Sequence, residues 1–438
     1  MQTMTTVTTP DLPRYSHPWR TPRGRSFIDT AFKFVLYAIA LSLPAEGLID
    51  LAGRTPTFFL SIVAAGIALF RLPGILKNVG KSKGMLLVMF AFFFAIALYF
   101  YNPIREHNEI VPMIQRIILT CLFLYFADLG SFRQRTIELY WYGWLLLVTY
   151  SVIQVLAGNV RSITLLEDVT RIYVPGYSLG EHSAQVVTGL VLSFPMLFRP
   201  QTPPKRALLL VGLALGSLSM FISANRSGFL GLLAALALWL VLRGFVRRSL
   251  SQTLVSRAVT LVLMIIGVYV AFTQTSFGPE MLDTMFIRLN QTFVEGRTSR
   301  RDELFIIGLD LATRNPIGIG YGNSMGMVAQ YQGVEMDIHN QYLRMLIDGG
   351  IVGFLIFGTG VGLIVKNGWD WYRASGDDYF FPMIFLLLFA ATVAGFHYKI
   401  TWFFLGMNAI TPLQAGRAPA PARPPDVPAA QSLGATGP

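Results

Sequence analysis

Long apolar runs separated by short polar connections fill most of the chain. A helix needs about 20 predominantly apolar residues to cross the hydrocarbon core of a bilayer. The pattern therefore predicts twelve membrane-spanning helices, near residues 31–50, 56–71, 84–102, 110–128, 136–157, 181–198, 206–223, 227–246, 254–272, 341–365, 380–396 and 398–413. We expect an all-α polytopic membrane protein.

One long stretch of mixed polarity interrupts this pattern between the ninth and tenth predicted helices. Connections of this length are usually functional or disordered, and this one contains helical patterns and several arginines. The sequence thus predicts five regions: an N-terminal segment at 1–30, helices one to nine at 31–272, a large, partly helical loop at 273–340, helices ten to twelve at 341–413, and a disordered Pro/Ala/Gly-rich tail at 414–438.

The distribution of charge predicts the orientation. Most of the 35 lysine and arginine residues lie near the termini and in one alternate set of connections. Because basic residues concentrate on the cytoplasmic side, both termini are predicted to be cytoplasmic and the 273–340 loop to face outward. The net charge of +11 then reflects topology and an anionic substrate rather than nucleic acid. The single cysteine, Cys121, excludes an internal disulfide and a cysteine-based metal site.

Two helices and a turn are predicted inside the loop. Apolar residues recur every four positions between 279 and 293, which indicates a helix on the membrane surface or over the bundle. A second helix is expected from Ser299, which has capping-box spacing to Asp302, to about residue 312. The glycine-rich segment 318–323 follows as a turn that permits close backbone approach.

His339 lies where the loop enters the tenth predicted helix. Alone it is typical of a surface histidine, but a helix N-terminus favours a nearby anion and a neutral imidazole. A neutral imidazole is the form that accepts a proton. Arg344 and Asp348 follow four residues apart, and because ionisable groups at membrane depth are costly, we expect them to pair within the protein.

Two arginines are candidates for binding a pyrophosphate. Arg226 lies in a very short connection between predicted helices, and Arg297 lies in the long loop. Two guanidinium groups bind a pyrophosphate bidentately without a metal. The alternative for Arg226 is that its side chain only extends to the interface between bilayer and water.

Residues that bind metals are sparse in this sequence. There is no Asp-x-Asp motif, and Glu167 and Asp168 form the nearest acidic pair on the predicted outer side. His182, next to Glu181, has no partner at the spacing of metal ligands. A metal-dependent site is therefore not expected.

The chain resembles a known family in several motifs. Residues His339 to Gly353 read His-Asn-x-Tyr-Leu-x-x-Leu-x-Asp-x-Gly-x-x-Gly, which is similar to the signature of the bacterial O-antigen ligase and polymerase superfamily. The Gly296-Arg297 pair, the 315–323 segment and the Asn225-Arg226-Ser227-Gly228 turn also resemble its pattern. These motifs lie within about residues 180–355, and the topology of the whole chain fits the same family.

The resemblance implies an inverting, metal-independent, GT-C-like glycosyltransferase without a cofactor. Its donor would be a glycan on undecaprenyl pyrophosphate, and its acceptor a sugar of lipid A-core, on the periplasmic face of the inner membrane. His339 would be the base, and Arg226 and Arg297 would bind the pyrophosphate. Weaker candidates for contacts to sugar or phosphate are Arg161, Arg171 and Tyr342.

Three other functions stay open at this point. Members of the same superfamily polymerise O-antigen units or transfer glycans to pilin-like proteins, and the motif does not separate these branches. From another class, a transporter of lipid-linked or anionic solutes would also place arginines in a bundle. No internal repeat is evident, which weakens the transporter hypothesis. The sequence predicts contact with membrane lipids and leaves the oligomeric state open.

Overall fold

A computed structural model describes residues 27–49, 54–101, 109–157, 161–164, 170–173, 178–199, 201–223, 225–247, 301–333, 337–375, 379–393 and 395–411, and the single residues 283, 286, 287 and 290. The predicted spanning helix at 254–272 and most of the predicted helix at 279–293 lie outside these residues, as do residues 1–26 and 412–438.

Helices dominate the described part of the chain. They are α1 (Phe27–Ser42), α2 (Pro56–Leu69), α3 (Leu72–Lys81), α4 (Lys83–Tyr101), α5 (Ile110–Leu124), α6 (Gly130–Leu156), α7 (Leu179–Leu197), α8 (Pro203–Ser223), α9 (Arg226–Arg247), α10 (Arg301–Arg314), α11 (Asn323–Gln332), α12 (Gln341–Ser375), α13 (Phe380–Ala390) and α14 (Lys399–Asn408). Two 3-10 turns span Glu46–Leu48 and Gly395–His397.

One short antiparallel hairpin accompanies the helices. It consists of β1 (Arg161–Thr164) and β2 (Thr170–Tyr173), with Arg161 opposite Tyr173 and Ile163 opposite Arg171. The apolar pattern did not predict these strands. The hairpin follows α6 and packs against α8.

Four of the described helices are long and apolar enough to cross a membrane: α4, α6, α8 and α12. A fifth span is possible in α2 and α3 together, which are joined by a bend of 100°. Helices α5, α9 and α13 are also apolar, but their apolar segments are shorter than those of the four spanning helices. The chain is therefore a multi-pass helical membrane protein, and the count of twelve spans stays a prediction.

Helix α12 packs along α4, and two glycines allow the close contact. A Cβ atom on Gly84 would lie 2.8 Å from the carbonyl oxygen of Gly360, and one on Gly360 would lie 2.7 Å from the carbonyl oxygen of Gly84. Small residues let membrane helices approach each other in this way. We term the end of the bundle at which α12 begins the outer end, after the predicted orientation.

A break in α12 receives the glycine-rich turn that the sequence predicted. Gly350 has φ of 63°, and the N–H of Ile351 donates to the carbonyl of Pro316 at 2.9 Å. The carbonyls of Ile347 and Asp348 accept from the N–H groups of Ile319 and Gly320 at 3.0 and 2.9 Å. The turn thus approaches protein backbone closely, which explains its glycines.

Helices α13 and α14 form a short hairpin whose turn lies near Glu109, just before α5. They have 11 and 10 residues, roughly 15 Å each, or half of a core that is about 30 Å thick. Asn408 donates to the carbonyl of Tyr379 at 3.2 Å, so both ends of the hairpin lie together. Its turn packs through Phe396 on Phe92, more than two helical turns before α4 ends.

Candidate functional site

Two helices begin at the outer end with an asparagine cap. The side-chain oxygen of Asn340 accepts from the N–H groups of Tyr342 and Leu343, both at 3.0 Å. The side-chain oxygen of Asn225 accepts from the N–H of Gly228 at 3.2 Å. Such caps satisfy N–H groups that the helix leaves free. They fix the start of α12 directly after His339 and the start of α9 at Arg226.

The imidazole of His339 is exposed at the start of α12. Partial desolvation lowers its pKa from the ordinary value of 6.5, and the positive charge of Arg301 lowers that pKa further. The carboxylate of Asp337 opposes both effects. The histidine is therefore neutral at neutral pH, which is the state that accepts a proton.

Arg301 joins α10 to the start of α9. Its guanidinium donates to the hydroxyl of Ser227 at 3.0 Å, and Ser227 is the residue after Arg226. Because Arg301 also acts on the pKa of His339, the starts of α9, α10 and α12 meet at the outer end. Arg226 and His339 are thus brought to one region from positions more than 100 residues apart.

A buried arginine supports the segment that leads to the histidine. The side chain of Arg344 is 0% exposed, and its guanidinium lies 3.3 Å from Asp337 and 3.5 Å from Asp348. It also forms an ion pair with Glu109, just before α5. Asp348 in turn accepts from the N–H of Gly322 at 3.0 Å. The predicted pairing of Arg344 with Asp348 is confirmed, and it connects four segments of the chain.

The other predicted site residues have different surroundings. Arg161 and Arg171 lie in β1 and β2, and Arg297 lies outside the described residues. The hydroxyl of Tyr342 donates to the carbonyl of Leu387 at 2.7 Å, which ties α12 to α13. The pairing of Arg226 with Arg297 at a pyrophosphate stays a prediction.

Possible metal ligands are scattered in the described ranges. Within them, no three side chains of the His, Cys, Asp or Glu type come together as a metal site. His182 is buried, and its Nε2 lies 3.1 Å from the hydroxyl of Ser151 and 3.4 Å from that of Ser219. Glu167 and Asp168 lie outside the described residues.

Three functional candidates were missed by sequence reasoning. Arg301 is one of several arginines in the long loop to which the sequence assigned no role, and Asp337 lies in a polar stretch without any motif. Arg116 had a clear signal, because it is the one charged residue in the apolar helix α5. Ionisable residues in such helices are rare and usually functional.

The fold and this site define a multi-pass membrane protein that gathers ionisable residues at one end of its bundle. A family model described as O-antigen ligase matches residues 211–358, from α8 to the middle of α12. This match supports the chain as a member of the O-antigen ligase/polymerase superfamily, whose members are glycosyltransferase-like ligases and polymerases. No individually curated protein sequence matches the chain.

Proposed function

We propose that this protein is an O-antigen ligase. It transfers an O-antigen glycan from undecaprenyl pyrophosphate to a sugar of the lipid A-core oligosaccharide, on the periplasmic face of the inner membrane. The observation that carries the proposal is the position of His339, exposed at the N-terminus of α12 near the starts of α9 and α10. The family match, which covers the same region, supports it.

His339 acts as the general base in this proposal. A sugar hydroxyl is a weak nucleophile, and a base within hydrogen-bonding reach of its proton activates it. The proton passes to a ring nitrogen of His339, and the hydroxyl oxygen forms a bond to the anomeric carbon of the donor. The bond between that carbon and the pyrophosphate oxygen breaks, and its electron pair stays on the leaving group. Direct displacement inverts the anomeric carbon.

Arg226 and Arg297 bind the pyrophosphate in this scheme. The leaving group is already an anion of low basicity, so the barrier depends mainly on orientation and on stabilising the developing negative charge. Planar guanidinium groups supply paired N–H donors to phosphate oxygens. The start of α9, where Arg226 lies, also presents free N–H groups that favour an anion.

The lipopolysaccharide profile of cells that lack the gene tests this function. A ligase is expected to leave no O-antigen ladder on a gel, while full-length polymer accumulates on undecaprenyl pyrophosphate. Core carrying a single O-antigen unit would instead indicate a polymerase. An unchanged profile would contradict both, and would direct attention to protein glycosylation or to transport.

A further inference from the structure

Several buried polar atoms in the described part of the chain make no hydrogen bond, and three of them belong to residues that interact with one another. These three are Nε of Arg116, the hydroxyl oxygen of Tyr321 and Nε2 of His397, and all three are shielded from solvent. Nε2 of His397 lies 3.9 Å from the carboxylate of Glu109, too far for a hydrogen bond. Buried polar groups are normally paired, so three unpaired ones indicate a missing ligand or water.

These atoms belong to one region of the protein. Arg116 interacts electrostatically with both Tyr321 and His397, which come from the glycine-rich turn and from the turn between α13 and α14. The N–H of Tyr321 donates to the carbonyl of Ala95 at 2.8 Å. Ala95 precedes the end of α4 by roughly 9 Å, so the region lies below the end of α4, at the level of the turn between α13 and α14.

Carboxylates face Arg116 without pairing with it. Glu181, Glu109 and Glu46 all lie within electrostatic range of its guanidinium. Glu109 pairs with Arg344, and Glu46 pairs with Lys399. Within the described ranges, Arg116 and Glu181 have no carboxylate or basic group at ion-pairing distance. The guanidinium of Arg116 and the carboxyl group of Glu181 therefore lie near each other without forming an ion pair.

The balance of charge decides which kind of ligand fits between these two groups. A phosphate group would be attracted by Arg116 but repelled by Glu181 and Glu109. A sugar hydroxyl carries no charge, and it accepts one hydrogen bond while donating another. Adjacent hydroxyls of a pyranose can therefore accept from Arg116 and Tyr321 and donate to Glu181, which satisfies all three groups.

We propose that Arg116, Tyr321, His397 and Glu181 form a carbohydrate subsite that binds hydroxyl groups of a glycan inside the outer half of the bundle. The inference rests on the proposed function for the identity of that glycan, which is either part of the acceptor core or part of the donor. It assigns these residues to binding and positioning, and leaves proton transfer to His339.

The subsite is continuous with the surroundings of His339. Tyr398 interacts electrostatically with both Glu181 and Asp337, and Asp337 acts on His339. Tyr398 also covers the start of α7, where a Cβ atom on Gly180 would collide with its hydroxyl. A glycan bound at Arg116 would thus extend toward the base along groups that are all polar.

Binding of neutral sugars to the full-length protein in nanodiscs tests the subsite. Two probes are oligosaccharides from the lipopolysaccharide core and from O-antigen of the host strain, each dephosphorylated, and a third is inorganic pyrophosphate. We expect one oligosaccharide to bind, and which one identifies its source as acceptor or donor. Tyr321→Phe should raise its Kd by about 5- to 10-fold and Arg116→Gln by about 10- to 100-fold, as for lost neutral and charged hydrogen bonds.

The stability of the empty protein supplies a second readout. Tyr321→Phe removes an unpartnered hydroxyl, so the melting temperature without sugar should stay the same or rise. A purely structural tyrosine would show a lower melting temperature and unchanged sugar binding. Tyr125→Phe is the matched control, because that hydroxyl contacts Asp29 at the opposite end of the bundle. It should leave the Kd for sugar unchanged.

Three results would overturn the subsite. The first is that the wild type binds neither oligosaccharide, and the second is that wild type, Tyr321→Phe and Arg116→Gln bind the sugar with equal Kd values. The third is binding of pyrophosphate that depends on Arg116, without any binding of sugar. The proposed function fails separately: a wild-type protein that binds sugar through Tyr321 but transfers no glycan would contradict the ligase and leave the subsite in place.

Discussion

The guanidinium of Arg344 donates to the carboxylate of Asp337 at 3.3 Å, two residues before His339. The same guanidinium pairs with Glu109 and Asp348 inside the bundle. A contact at the base of α12 thereby fixes the backbone from which the histidine projects. The position of His339 depends on a charge that is itself buried and surrounded by carboxylates.

Replacing Arg344 should destabilise the protein strongly. Arg344→Gln leaves the buried carboxylate of Asp348 without its partner, and removing one member of a buried ion pair typically costs about 3–5 kcal/mol. The free energy of unfolding in detergent measures this loss. Lys366→Gln in the same helix is the control, because its pair with Asp370 is exposed and contributes only about 0.5 kcal/mol. Equal losses in both variants would contradict the arrangement.

The pH dependence of transfer should follow the charges around His339. A base is active when neutral, so activity falls as pH drops through the pKa of His339, which lies below 6.5. Arg301 lowers this pKa, so Arg301→Gln should move the acid limb of kcat/KM to higher pH. Asp337 raises it, so Asp337→Asn should move the limb to lower pH. Arg314→Gln, at the exposed far end of α10, should move neither.

Substitution of the base and of the arginines should affect different steps. His339→Ala, once shown to fold, should retain donor binding and lose about 10²- to 10⁴-fold in rate. Arg226→Lys should weaken donor binding as well as turnover, because an ammonium group lacks the planar fork of a guanidinium. Single-turnover kinetics with a labelled donor separates donor binding from the rate of transfer. Wild-type transfer by folded His339→Ala would require another base, from Glu167, Asp168, Glu181 or His182.

The break in α12 can be tested with two glycines of one helix. Gly350 has a positive φ of 63°, and a Cβ atom there would lie 2.2 Å from the carbonyl carbon of Ile317. Gly350→Ala should therefore prevent the glycine-rich turn from docking and lower the melting temperature. A Cβ atom on Gly358 meets nothing within 4 Å, so Gly358→Ala should be neutral or slightly stabilising. A tolerated Gly350→Ala would contradict the docking of the turn.

The orientation of the bundle can be tested by cysteine labelling. In a Cys121→Ser background, Thr313→Cys on α10 should react with an impermeant thiol reagent in intact spheroplasts. Ala374→Cys near the end of α12 should react only after the cells are opened. Both side chains are exposed, so access to the reagent depends on the side of the membrane. The reverse pattern would refute the outward-facing site.

Hydropathy predicted where many helices lie in the sequence, but not the exact length of each helix. The predicted segments 206–223 and 227–246 closely match α8 and α9. Helix α12 continues ten residues beyond its predicted end at 365, because its last turns are amphipathic and carry Lys366 and Asp370. Helices α13 and α14 are shorter than the predicted spans 380–396 and 398–413. The sequence does not show this difference, because apolar residues that are buried in protein form the same pattern as apolar residues that face lipid.

The start of α12 was predictable because a single segment contained the signal. The sequence predicted that His339 lies where the loop enters a helix, and α12 begins at Gln341 with Asn340 as its cap. The surroundings of Arg116 could not be read, because Tyr321 lies about 200 residues away in sequence and meets it only through folding. Contacts between distant segments have no periodicity that a sequence pattern can show.

The short α13–α14 hairpin also has a consequence for the permeability of the membrane. Its turn and α14 contribute Phe396 and Trp402, whose rings lie 6.0 and 5.2 Å from that of Phe92. All three are fully buried, and together they form an aromatic floor beneath the polar groups. A hydrophilic chain that descended from the outer end would meet this floor, and its apolar surface would oppose the passage of ions and protons through this part of the bundle.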